Sequence, residues 1–401
     1  MPGPLEGIKV VDASAVVSGP LAAMMLADQG ADVVRVEPTG AGDLLRLGAF
    51  RRGGLTAFFA NNNRGKRAIA VDLMKDEGVE VVQKLVREAD VFVQNWRPGA
   101  AERLGLGEPD LRVLNPDLVY CSISGYGDTG PYRDRRVYDP IIQALTGHVA
   151  VQLNPEVPIR DLVRNVVSDK SSAYTAAQAI TAALFARERG AGGQHVRVPM
   201  LDASLAFFWP DGMMRHTMVG DDVRRPGPTL YESYHLTETA DGHMMYFVAS
   251  QVEYHALFRA LEHPEWCTDE RFGTVKEVTR SENRAALGEL LLQEFAAHGT
   301  ADLVERLSAE GVPAAAVLDL DDIFEDPQIL HNEAVYERDH PTAGRMRGAR
   351  PAARFDKTPQ AAGPTAPLHG EHTDEILAEL GYDMAARARL RAEAVVDGVE
   401  S

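Results

Sequence analysis

Three consecutive segments near the start of the chain limit what it can fold into. "GIKVVDAS" is a short apolar run with strand composition. "GPLAAMMLADQGA" reads as a helix, with Pro20 early and Gly30 closing it. "DVVRVE" is a second strand. A strand, a helix and a strand in that order form a βαβ unit, whose two strands run parallel. The alternation continues with "KRAIAVDL" as strand, "DEGVEVVQKLVREA" as helix and "DVFVQNW" as strand. "EPDLRVLNP" then reads as a short helix and "LVYCSISGYG" as a strand. The pattern predicts an α/β fold: a mostly parallel sheet covered by helices on both faces.

Beyond Asp169, "SSAYTAAQAITAALFARERGAGG" places Tyr174, Ala177, Ile180 and Leu184 at helical spacing, and the glycines at 190–193 end the helix. "QHVRVPMLDASLAFF" supplies one more strand and helix. From about Met218 the texture changes to a linker and antiparallel strands turned at Asp241-Gly242. The expected organisation is residues 1–217 as the N-terminal part of a large domain, 225–325 as a smaller α+β domain, and 326–401 as the return to the large domain. The Pro/Ala run from Pro359 to Pro367 reads as a surface strap. "HGEHTDE", with His369, Glu371 and His372, reads as a capping motif with Thr373 as N-cap of the last helix.

Several chemistries are disfavoured. The first βαβ turn is "SAVVSGP", without the G-x-G-x-x-G that lets backbone approach a pyrophosphate, so no nicotinamide cofactor is expected and Glu37 reads as a strand-end surface acid. The twelve His and the two cysteines, Cys121 and Cys267, match no metal or redox spacing, and no G-x-S-x-G elbow occurs. The formal net charge of −18, from 41 Lys+Arg and 59 Asp+Glu, argues against nucleic-acid binding and means that an anionic substrate needs a local basic pocket. No apolar run reaches the ~18 residues of a membrane span, and "MPGPLEGIKVV" lacks signal-peptide character. A cytoplasmic protein is expected. The basic cluster "NNNRGKR" offers Arg64, Lys66 and Arg67 either to a phosphate or to solvent.

Asp169 in "NVVSDKSSAY" has two readings. Asp is a preferred N-cap, accepting from a backbone N–H two or three residues on. A carboxylate at a helix N-terminus among small residues is also oriented and backed by free N–H groups, which suits a nucleophile and an oxyanion site. The local sequence leaves both open.

Taken whole, the chain resembles the family III CoA-transferases, the group of the formyl-CoA:oxalate and carnitine enzymes. The resemblance rests on "PLEGIKVVD", "GPLAAMMLADQGADVVRVE", "NNNRGKRAIAVDL", "QNWRPGAAERLGLG", "NPDLVYCSISGYGDTGPY", "VYDPIIQALTG", "SDKSSAYTAAQAITAALFARERGAGGQHVRVPMLDAS" and "APLHGEHTDEILAELGY", in that order. It implies a Rossmann-like large domain built from both chain ends, and two subunits interlocked as a homodimer. It also implies coenzyme A as the acyl-CoA substrate, a carboxylic acid as the second substrate, and no metal or nucleotide cofactor. The family nucleophile falls on Asp169. The implied reaction is double displacement through an aspartyl anhydride and an aspartyl-CoA thioester.

By position, the family's CoA contacts fall on Val17, Ser18, Pro38, Val71, Asp72, Leu73, Met74, Asn95, Trp96, Arg97, Arg103, Arg136, Val137, Tyr138 and Asp139. Arg103 and Arg136 are the expected phosphate partners. Three positions depart from the family pattern. Val17 stands where the oxalate-using enzymes carry Gln. Pro38 replaces a basic residue. "PTLYESYHLTETADG" stands in place of their mobile Gly-rich loop. A substrate larger or less polar than oxalate is therefore expected. Two alternatives remain: an α-methylacyl-CoA racemase, which would need a second base where Tyr138 stands, and a catalytically silent CoA-binding dimer.

Overall fold

The computed structural model describes residues 3–152, 161–224, 229–359 and 363–398. Its strands, in chain order, are β1 (Lys9–Asp12), β2 (Asp32–Glu37), β3 (Arg51–Arg52), β4 (Leu55–Thr56), β5 (Lys66–Val71), β6 (Val91–Gln94), β7 (Val119–Ser124) and β8 (His195–Pro199). They continue with β9 (Thr237–Glu238), β10 (His243–Tyr246), β11 (Ala314–Ala316), β12 (Val335–His340), β13 (Gly344–Ala349) and β14 (Val396–Asp397). The chain divides into two compact units, residues 1–223 with 333–401, and 224–332.

The first unit is built on a seven-stranded sheet of order β14-β5-β2-β1-β6-β7-β8. Six strands are parallel, and β14 pairs antiparallel with β5. The sheet is thus mixed, with a C-terminal strand on its edge. Successive residues of a strand face opposite sides, and here both sides are apolar. Val10, Val33, Val93 and Cys121 pack with Leu26, Ala173 and Ile180 of helices Ser18–Asp28 and Val167–Ala186. Val11, Val34, Ile69 and Phe92 pack with Val82, Leu111, Ile376 and Leu390 on the opposite face. Near-continuous apolar strands follow from this double coverage.

Charges interrupt those apolar runs at Asp12, Arg35, Glu37 and Lys66, and all four are buried. Lys66 Nζ donates to Asp12, to the Pro20 carbonyl and to Asn63, each at 2.8 Å. Burial pulls the Lys66 ammonium down to about 8, although Asp12 opposes the shift. Burial works against Asp12 ionising too, but Lys66 and Arg35 prevail and hold its carboxyl well below the usual range. Glu37, expected at the surface, instead chelates Arg46 at 2.9 and 2.7 Å and is 1% exposed. The chain after β2 folds back to bring Arg46 over the sheet end and onto the Phe59 ring, a partner that strand composition does not announce.

Thr373 is not the N-cap expected of it. His372 occupies that position, and Thr373 Oγ1 accepts from the Ala70 N–H and donates to the Asp397 carbonyl, tying β5 to β14. His372 and the Ala68 backbone exchange two more bonds. The motif bolts the C-terminal segment to the sheet edge.

The second unit holds the antiparallel sheet β11-β10-β9, turned at Asp241-Gly242. Its own core includes Leu257, Phe258, Trp266, Phe272, Phe295 and Leu303, and a Ser250–Glu253 capping box opens one of its helices.

Candidate active site

All six parallel strands of the large sheet end on the same side, and the chain reverses direction across the sheet between β1 and β6. Crevices in open α/β sheets form at that switch point, beyond the carboxyl ends of the strands. Residues 13–17 follow β1 and residues 95–97 follow β6, so these two loops border the crevice. Asn95 joins them: its Oδ1 accepts the Ala15 N–H and its Nδ2 donates to the Ala15 carbonyl, both at 2.7 Å. The same Nδ2 reaches Ser18 Oγ at 3.3 Å.

Ser18 opens the helix that follows, and this helix packs against the one carrying Asp169 through Ala22, Ala23 and Leu26 against Ala173, Ala176 and Ala177. Small residues let the two helices approach closely. Gly19 is required here: a Cβ would lie 2.2 Å from the Ser14 Cβ and Oγ. The result is that Ser18 lies beside the Asp169 carboxyl, where its N–H and hydroxyl favour the ionised form.

Asp169 is not an N-cap. Its helix starts at Val167, and Asp169 lies in the first turn with its side chain free of the helix's own backbone. The capping carboxylate comes from elsewhere. Asp139 Oδ2 accepts the Ser168 N–H at 2.7 Å and the Asp169 N–H at 3.0 Å. Its Oδ1 is held by Gln143, whose amide also grips Val163 and Asn165 in the approach to the helix. The first-turn N–H groups expected to face an oxyanion are therefore spent on Asp139. The donors that favour the ionised Asp169 carboxyl belong to Ser18. Burial raises the Asp169 carboxyl to about 7; the neighbouring Asp139 charge adds to the rise, and the Ser18 bonds oppose it.

The other expected contact positions fall mostly in loops beyond the strand ends, but their side chains differ in what they offer. Val17 is buried in an apolar cluster with Leu45, Leu55 and Phe59. Val71 is fully buried in the sheet core, leaving only its backbone to a ligand. Asn95 is committed to the 14–18 loop, and Asp139, 4% exposed, is committed to the Asp169 helix. Asp72 turns back to accept the Met74 N–H, Leu73 and Trp96 pack against the core, and Val137 does so on the other face. Pro38, Met74, Arg97, Arg103, Arg136 and Tyr138 are exposed. Among the described residues Arg97, Arg103 and Arg136 make no ion pair. The basic cluster behaves oppositely: Arg64 chelates Asp28, Lys66 is buried, and Arg67 pairs with Asp32, Glu375 and Glu379.

Missed from the sequence were Gln143, Asp43 and Arg35. Arg35 donates to Ser14 O and Asp12 and pairs with Asp43, whose carboxylate takes the Val16 N–H at 3.0 Å. The only local signal was a lone charge inside an apolar strand.

A buried carboxyl raised toward neutrality, beside Ser18 near the sheet's switch point, is a candidate for covalent acyl transfer. Comparison with known proteins gives the family. The chain belongs to CoA-transferase family III, whose family model matches residues 5–373. It is 32% identical over 405 residues to the human succinyl-CoA:glutarate CoA-transferase, covering 99% of this chain and 91% of that one. It is 34% identical over 394 residues to the succinyl-CoA:mesaconate CoA-transferase of Haloarcula marismortui, covering 95% and 97%. A crystal structure of a CaiB/BaiF family protein from Brucella suis superposes with a TM-score of 0.81 at 31% identity, covering 95% of this chain and 100% of that one. The protein is thus a CoA-transferase of acyl-CoA thioesters.

Proposed function

We propose that the enzyme moves CoA from succinyl-CoA to a dicarboxylic acid larger than oxalate, with Asp169 as nucleophile. The Asp169 carboxylate attacks the thioester carbonyl and CoA thiolate leaves, giving a mixed anhydride. The thiolate then attacks the aspartyl carbonyl, the donor acid departs, and an aspartyl-CoA thioester remains. The acceptor carboxylate attacks that thioester and forms a second anhydride. CoA thiolate then attacks the acceptor's acyl carbon and restores Asp169. The observation that carries this reading is the buried Asp169 carboxyl in the first turn of its helix, beside the Ser18 N–H and hydroxyl at the start of the neighbouring helix. Those donors suit the oxyanion that develops at the aspartyl carbonyl.

The donor and acceptor classes rest on the relatives' names and on Val17, which offers no side-chain amide to a small diacid. CoA phosphates are assigned to Arg97, Arg103 and Arg136, guanidiniums without an ion pair among the described residues. The racemase alternative is disfavoured because Tyr138, a poor base at neutral pH, stands at the second-base position, and the adjacent Asp139, buried and accepting two backbone N–H groups, does not substitute for it. A second copy of the chain is proposed to cover Ile141, Leu145, Tyr174, Phe185 and Phe207. These large apolar side chains are exposed on three adjoining helices, and their burial would help keep water from the anhydride.

The test is intact-protein mass spectrometry after a brief incubation with succinyl-CoA, with and without glutarate, mesaconate or citramalate. An aspartyl-CoA adduct discharged by a diacid, and absent in Asp169→Ala, is expected. An Asp169→Ala protein that still transfers CoA would overturn the assignment, as would rapid α-deuteration of a 2-methylacyl-CoA in deuterated water. Sedimentation should give a dimer at sub-micromolar concentration, and a monomer would contradict the proposed cover.

A further inference from the structure

Among the described residues, Val16 is the one β-branched residue with a left-handed backbone, at φ 65°. That region is unfavourable for a residue branched at Cβ, and such a conformation persists only where its surroundings enforce it. The surroundings here are unusually complete. The Ser14 N–H is held by Asp12 at 3.1 Å and the Ser14 carbonyl by Arg35 at 2.6 Å. Both backbone groups of Ala15 are held by Asn95. The Val16 N–H is held by Asp43, which is itself paired with Arg35. The Val16 side chain packs on the cluster of Val17, Leu45, Leu55 and Phe59, which a glycine would forgo.

We propose that Asn95, Asp43 and Arg35 are positioning residues of the transfer reaction: they hold Val16 left-handed and so set Ser18 beside Asp169. The chain reverses at Val16, and two residues later Ser18 begins its helix. Relaxing Val16 to negative φ rotates the peptides that follow and takes the Ser18 donors off the carboxyl. Asn95 acts twice. By donating to Ser18 Oγ at 3.3 Å it fills an acceptor site of the hydroxyl, which leaves the hydroxyl proton for Asp169. The inference rests on Asp169 being the nucleophile, and it gives Asn95 a role other than contact with CoA.

The test is a double-mutant cycle of Asn95→Ala with Val16→Gly, since glycine adopts positive φ without strain. Asn95→Ala should lower kcat about 100-fold when Val16 is present, the order of loss that follows from a misplacement near 1 Å. The same change measured against the Val16→Gly parent should cost less than about 10-fold. KM for the acyl-CoA should hold in both backgrounds. The acid limb of the pH–rate profile should move upward in Asn95→Ala and return in the double variant, because the Ser18 bonds favour the ionised carboxyl. Should Asn95→Ala not fold, the isosteric Asp43→Asn carries the same cycle. Equal losses in both backgrounds would overturn the inference. So would a raised acyl-CoA KM that glycine does not restore, which would make Asn95 a substrate contact. An Asp169→Ala control separates the failures. If that variant transfers CoA, the nucleophile assignment is wrong. If it is dead and the cycle shows no coupling, only the positioning role is wrong.

Discussion

Asp169 carries opposing demands. As the proposed nucleophile it must be ionised, yet burial and the Asp139 charge raise its carboxyl to about 7. The rate of the first half-reaction should therefore rise with pH through about 7 and level off above it. Asp139→Asn removes the neighbouring charge, so the limb should move to lower pH. The same change weakens the cap on the Asp169 helix, at about 0.5–2 kcal/mol of stability by melting. A limb that stays in place would contradict the coupling. A stability effect follows with a definite sign. The folded carboxyl binds its proton more tightly than the unfolded one, so its contribution is present below the ordinary carboxyl value of 3.8 and is lost as pH rises through about 7. Asp169→Asn should consequently melt above the wild type at pH 8, by roughly 1–3 kcal/mol, with the gap closing toward pH 4. A variant less stable than wild type at pH 8 would show that the site carries no such strain.

At the scale of elements, what was legible depended on how local the signal was. Strands buried on both faces are apolar throughout, so β1, β2, β5, β6 and β7 stood out in the sequence as continuous runs. β14 is two residues long and had no pattern to find. The Asp169 helix was legible by its spacing but not by its start: Val166 and Val167 look like strand, and the cap arrives from Asp139, 29 and 30 residues earlier. The buried charges were equally opaque, because Lys66 finds Asp12 across 54 residues and Arg35 finds it across 23. Lys66 was read as a phosphate or solvent residue for that reason. As a buried partner of Asp12 it makes a different prediction: Lys66→Met leaves the buried carboxylates of Asp12 and Asp43 to share Arg35 alone, and the uncompensated charge should cost about 3–5 kcal/mol in denaturant unfolding. A stable Lys66→Met protein with a raised KM for acyl-CoA would instead restore the phosphate role.

For the whole molecule, the family and the large sheet followed from motifs spread along the chain, whereas the geometry at Asp169 did not. The residues that shape it, Asp139, Gln143, Asn95, Asp43 and Arg35, lie in loops, strand ends and helix starts of several segments and meet only once the sheet has formed. The central proposal is that CoA passes through a covalent bond to Asp169. Its most direct measurement is a single turnover with an acceptor acid labelled with ¹⁸O in its carboxylate, followed by mass analysis of the peptide containing Asp169. The acceptor's oxygen bridges the second anhydride, and attack of CoA thiolate on the acceptor's acyl carbon leaves that oxygen on the aspartate. One ¹⁸O in the Asp169 carboxyl is the predicted result. CoA transfer that proceeds with no label in that peptide would contradict the account.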